Sequence, residues 1–120
     1  VRDWSAPEDG ETVALYGMSS LNGLKALVEK IGSDGHVIVH PAAGVMHARV
    51  PGSVAVEALW RVRQAAGDRG QVIVSSAPAA LKKELDVWGP LPSGFALMLG
   101  LKRALDPTST LNPGRFVGGI

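Results

Sequence analysis

His40-Pro41-Ala42-Ala43-Gly44-Val45-Met46-His47 is the stretch of this chain whose residue types and spacing point to chemistry. Pro41 to Gly44 is turn material between two apolar runs, Val37-Ile38-Val39 and Val45 to Val50, so the segment reads as a β-hairpin. If the turn centres on Ala43-Gly44 with a loop of two or four residues, positions 40 and 47 face each other across it. Directly paired, their Cβ atoms would lie about 5 Å apart on one face. A three-residue loop would shift the register and spoil the pairing. Two imidazoles in that relation can hold a metal or a substrate carboxylate, or pack as a structural pair.

The second informative stretch is Leu105-Asp106-Pro107-Thr108-Ser109-Thr110-Leu111-Asn112-Pro113-Gly114-Arg115-Phe116. Pro107 has no N–H and drives Asp106 out of the helical region, so a helix must stop there. Asn112-Pro113-Gly114 sets a tight turn and redirects Arg115-Phe116. A terminus with so much pre-set backbone is shaped to dock on a surface; the plainer alternative is a capped helix followed by an inert tail. Arg115 can hold an anion, pair across a domain interface, or stay in solvent.

This tail, "LKRALDPTSTLNPGRF", resembles the C-terminal signature of the FAD-linked oxidases of the vanillyl-alcohol oxidase/p-cresol methylhydroxylase superfamily, where a last helix ending in DP is followed by NPG(R/K). With Val117-Gly118-Gly119-Ile120 it is most similar to the E subunits of bacterial glycolate oxidases. Catalytic 2-hydroxy-acid members carry H-x-G-D-G-N-x-H on a corresponding hairpin, and its two histidines match His40 and His47. Ala42, Ala43 and Val45 replace the motif's first Gly, its Asp and its Asn, while Gly44 persists. An acidic G-E-H-G segment before the last helix is replaced by Trp88-Gly89-Pro90-Leu91-Pro92-Ser93-Gly94. Without an anionic third ligand the histidine pair makes a poor zinc site, and no metal is expected. Structural packing or recognition of a small acid remains for the pair.

The resemblance implies a cap domain that roofs a small 2-hydroxy acid over the flavin of an upstream FAD-binding domain of the same polypeptide. FAD would be bound mainly by that absent domain, with Asn112 and Arg115 adding polar contacts. The partners implied are that domain and the sister glycolate oxidase subunits. The activity implied is oxidation of glycolate to glyoxylate by hydride transfer to flavin. A non-catalytic FAD-binding or assembly subunit is the alternative, and a free-standing ferredoxin-like ligand-binding or regulatory domain is another. Starting at Val1 rather than Met, the chain reads as a fragment of a longer polypeptide, expected to be colourless and inactive alone.

The 120 residues suffice for one core without staples. A net charge of +1 gives no electrostatic footprint for nucleic acid. With no cysteine there are no disulfides, iron–sulfur clusters or thiol catalysis, which fits a cytoplasmic setting, membrane-associated at most through partner subunits. No run reaches transmembrane length. His36 and Lys82-Lys83 read as solvated. Trp4, Trp60 and Trp88 read as core or interface anchors, and Gly118-Gly119, preceding no helix, as no phosphate loop.

The elements that must position the hairpin follow from periodicity. After a lead-in or linker over residues 1–11, Thr12 to Tyr16 reads as a strand. A helix follows, capped by Ser19 or Ser20, with Leu21, Leu24, Leu27, Val28 and Ile31 on one side and Gly32 as its stop. The two hairpin strands come next. Ser53 is then expected to cap a helix burying Ala55, Ala58, Leu59, Val62 and Ala66, ended by Gly67, before a strand at Val72-Ile73-Val74. The order βαββαβ predicts an α+β ferredoxin-like antiparallel sheet with helices on one face. Additional C-terminal helices are expected, a short one from Pro78 through Glu84 and one capped by Ser93 with a stripe of Phe95, Leu97, Met98, Leu101 and Leu105. The cap is expected over 12–105 and the docking tail over 106–120.

Overall fold

Alternating apolar residues build the sheet in a computed structural model, which describes residues 11–120. The expected lead-in and Trp4 lie outside the described residues, apart from Glu11. Strand β1 (Thr12–Met18), helix α1 (Leu21–Ile31), strands β2 (His36–His40) and β3 (Val45–Pro51), helix α2 (Ala55–Ala66) and strand β4 (Gln71–Ser76) follow in the βαββαβ order. The four strands form one antiparallel sheet in the order β2-β3-β1-β4. This is the ferredoxin-like α+β fold read from the sequence.

One face of the sheet makes the core. Val13, Leu15, Met46, Ala48, Val50, Val72 and Val74 meet Leu24, Leu27 and Ile31 of α1 and Ala58, Leu59 and Val62 of α2. Ser20 caps α1, its Oγ accepting from the Gly23 N–H at 3.3 Å. Gly32 and Gly67 end the two helices at positive φ, their N–H groups donating to Val28 and Arg63 carbonyls. Leu21 departs from the expected stripe and is exposed.

Ser53 does not cap α2. A 3-10 turn over Gly52–Val54 precedes the helix, and the Ala55 N–H donates to the Gly52 carbonyl, so backbone supplies the cap. Trp60 is 64% exposed on the outer side of α2 and is no core anchor. From Pro78 the chain makes a 3-10 turn at Leu81–Lys83 instead of the expected helix. Pro78 does open it, since its carbonyl accepts from the N–H groups of Leu81 and Lys82. Arg63 reaches from α2 to the Val72, Asp86 and Val87 carbonyls at 3.1, 2.7 and 3.3 Å, binding the chain after β4 to the sheet edge.

Contacts divide the chain into a unit ending at Val87 and a second one, Trp88–Ile120. The second unit holds helix α3 (Phe95–Leu105). Gly94, not Ser93, is its N-cap, with no side-chain cap, and the Leu97 and Met98 N–H groups donate to the Gly94 carbonyl. The apolar stripe on α3 forms but is not buried, since Leu97, Leu101 and Leu105 are 80%, 59% and 73% exposed. Asp106, with φ −138° and ψ 65°, leaves the helical region ahead of Pro107 as its position requires.

Leu27→Ala should cost about 2–5 kcal/mol in urea unfolding, because Leu27 is fully buried between sheet and helices. Trp60→Ala, on the exposed side of α2, should stay within about 0.5 kcal/mol of the parent.

Candidate functional site

Pro41 and Gly44 decide the hairpin. Pro41–Ala43 form a 3-10 turn closed by Gly44 at φ 68°, whose N–H donates to the Pro41 carbonyl at 3.2 Å. All four residues are therefore spent on the loop, and the first paired residues are His40 and Val45. His47 pairs with Ile38, so the direct pairing of His40 with His47 expected from the sequence does not occur. They are diagonal neighbours on one face, with ring centroids 5.8 Å apart and planes at 88°.

Gly44 also ties this tip to the end of β1. Its carbonyl accepts from the Ser19 N–H at 3.0 Å. A Cβ at position 44 would stand 2.8 Å from the Ser19 carbonyl oxygen. No side chain fits there without displacement, and the positive φ disfavours one independently.

The register places a third ring beside the pair. Tyr16 of β1 pairs with His47, with ring centroids 5.2 Å apart. Period-two alternation then gathers all three histidines of the chain, Tyr16 and Arg49 on the sheet face opposite α1 and α2. His36 pairs with Arg49 and is exposed, as expected. None of the strand residues on this face is Asp or Glu. Tyr16 and Arg49 were not singled out in the sequence, although their alternate positions on β1 and β3 mark them once strand pairing is known. Imidazoles and a phenol on a face whose strand residues include no carboxylate suit a small carboxylate far better than a cation.

In the second unit Asp106 is the buried charge that gathers the tail. Its Oδ2 accepts from Lys102 Nζ at 2.5 Å and the Leu111 N–H at 2.9 Å, and its Oδ1 from the Thr110 N–H and hydroxyl at 2.9 and 3.0 Å. Lys102 also donates to the Leu111 carbonyl at 2.7 Å. The Lys102 ammonium, then the backbone N–H groups of Leu111 and Thr110, hold the Asp106 carboxyl well below the usual range against the cost of burial.

The Asn112-Pro113-Gly114 turn forms, with Gly114 at φ 72° and the Arg115 N–H donating to the Asn112 carbonyl at 3.2 Å. Phe116 then packs edge-on against Trp88, centroids 4.9 Å apart, so Trp88 does serve as an anchor. The tail thus folds over the helix of its own unit. Between them lies an apolar cleft of about 360 Å³, lined by Met98, Leu101, Leu105, Leu111 and Phe116 with Asn112 at its rim. Asn112 and Arg115 are both exposed and belong to the second unit, whereas the histidine pair belongs to the first.

Among the described residues no group of three or more His, Cys, Asp or Glu can hold a metal ion. No helix among them is long and apolar enough to cross a membrane. No protein-family model, curated protein or solved structure matches the chain.

Gly44→Ala should cost about 1–2 kcal/mol from the left-handed backbone alone, and more from the Ser19 contact. Calorimetric titration with zinc should give no stoichiometric binding; tight binding lost in His47→Ala would contradict this. The Asp106 carboxylate stabilises the tail fully above the unfolded-state value near ~3.9, and this contribution is lost as pH falls from there toward the lower folded value. Amide shifts of Thr110 and Leu111 should therefore hold at neutral pH and move only in strong acid. Asp106→Asn should show displaced, pH-independent shifts throughout.

Proposed function

We propose that this chain is the cap domain of an FAD-dependent 2-hydroxy-acid oxidoreductase subunit, with glycolate as the substrate and glyoxylate as the product. The observation that carries the reading is the sheet face on which His40, His47 and Tyr16 stand in ring contact, with no Asp or Glu among its strand residues. The tail signature, Leu105-Asp106-Pro107 followed by Asn112-Pro113-Gly114-Arg115, supports it independently.

The residues present suit a cap and not a flavin cradle. Among the described residues no glycine-rich turn leads from a strand into a helix, the arrangement that binds a dinucleotide pyrophosphate. What the chain offers a flavin is the Asn112 carboxamide and the Arg115 guanidinium, both exposed on a pre-set turn. When bound, the flavin supplies the acceptor for the hydride leaving the α-carbon of the acid. The chain's own residues orient that acid. Imidazole N–H groups of His40 and His47 donate to its carboxylate, and the Tyr16 hydroxyl adds a further donor. A ring nitrogen of the pair that is not protonated can accept the hydroxyl proton.

A second reading is favoured by one feature. Ala42, Ala43 and Val45 stand where catalytic relatives of this kind carry Gly, Asp and Asn, which suits a non-catalytic FAD-binding or assembly subunit. The two separate in one experiment on the intact polypeptide, expressed without its sister subunits. It should show a flavin absorption band bleached by glycolate under anaerobic conditions, and His47→Ala should lower kcat/KM about tenfold or more while flavin is retained. A bound flavin that glycolate does not reduce supports the assembly subunit instead. An intact polypeptide without flavin defeats both. The 120-residue chain alone should be colourless and should not oxidise glycolate with added FAD.

A further inference from the structure

The two edges of the sheet are finished differently. At the β4 edge the Val74 N–H, pointing away from β1, donates to the Val87 carbonyl at 2.9 Å, and Arg63 holds Val87 there. At the other edge lies β2, and among the described residues no strand pairs with its outer side. β2 is His36-Val37-Ile38-Val39-His40, which contains no Lys, Arg, Asp, Glu or Pro. Those are the residues that usually keep an exposed edge from pairing. On its core face Val37 and Val39 are only half-buried, whereas their partners Ala48 and Met46 on β3 are completely buried. On its other face Ile38 is 39% exposed. The core is thus left open at this edge.

The sequence of β2 is a palindrome, His-Val-Ile-Val-His. An antiparallel strand that pairs with itself about its central residue sets each position opposite its mirror image. Here Ile38 would face Ile38 of the other copy, Val37 would face Val39, and His36 would face His40. Every cross-strand pair is then between like-sized groups on matching faces, which is the requirement for an isologous two-fold interface.

We propose that β2 pairs with β2 of a second copy of this chain, so that two four-stranded sheets become one continuous sheet across a two-fold axis at Ile38. Backbone hydrogen bonds along the free edge supply the attraction. Burial of Val37 and Val39 from both copies completes the core that each leaves open, and Ile38 packs against its counterpart on the other face. This inference does not depend on the functional reading, because it uses only the edge of the sheet.

Sedimentation of the 120-residue chain tests it. At about 100 μM, above the μM dissociation constants that small interfaces support, the parent should sediment at twice the mass of one chain. Ile38→Lys sets two ammonium groups opposite each other at the axis and should sediment as one chain, with its far-ultraviolet circular dichroism unchanged. Since the chain has no cysteine, single-cysteine variants report the register directly. Ile38→Cys should form a disulfide dimer on mild oxidation, whereas His36→Cys should not, and a chain carrying both His36→Cys and His40→Cys should again do so. A parent that sediments as one chain overturns the proposal. So does a dimer that persists in Ile38→Lys, or one that His36→Cys traps as readily as Ile38→Cys.

Discussion

Burial of Val13, Leu15, Met46, Ala48, Val50, Val72 and Val74 against α1 and α2 fixes which face of β1, β3 and β4 turns inward, because a slip of one residue would turn all of them outward. Everything at the candidate site follows from that constraint. With Met46 and Ala48 turned inward, His47 and Arg49 must point the other way, and Tyr16 follows as the partner of His47. The hairpin adds a second condition through Gly44, whose left-handed backbone and contact with Ser19 set where β3 begins. The histidine pair is thus held by a packed core it does not belong to, and the imidazoles are left with hydrogen-bonding capacity to spend on a ligand.

The second unit is organised by a charge instead of a core. No residue of α3 is buried, yet Asp106 is, and its four accepted hydrogen bonds with Lys102, Thr110 and Leu111 bring the tail back over the helix. Val117 is buried nearby, and Gly118 is so close to Phe95 that a Cβ there would stand 2.4 Å from the ring. This arrangement sets the tail's shape while leaving Leu97, Leu101 and Leu105 largely exposed, the latter two on the wall of the cleft between helix and tail. A polar clasp thus coexists with an apolar helix face that stays unburied.

Much of this was legible in the residues themselves. Periodicity located all four strands and both sheet-packing helices, since in each the apolar spacing agrees with the turn and cap residues around it. The positions of Pro107 and of Asn112-Pro113-Gly114 foretold the stop and the turn, because their backbone preferences are local. The diagonal placement of His40 and His47 was not legible, since register depends on where the loop is centred, and Pro41 to Gly44 centre it between Ala42 and Ala43, one residue before the expected Ala43-Gly44. Ser53 and Ser93 looked like caps but lost to 3-10 and backbone caps, which carry no side-chain signal. Trp60 misled for a simpler reason: large apolar residues stay exposed wherever the helix face they occupy has nothing against it.

The claim at the centre of this account is that the histidine pair recognises a small carboxylate. Because the chain has only three histidines, their ring resonances can be followed individually by NMR during titration with glycolate, with ethylene glycol as a control lacking the carboxylate. The account predicts saturable shifts of the His40 and His47 rings together, a smaller response at His36, and none with ethylene glycol. Rings that do not move with glycolate, or that all move equally with both compounds, would contradict it.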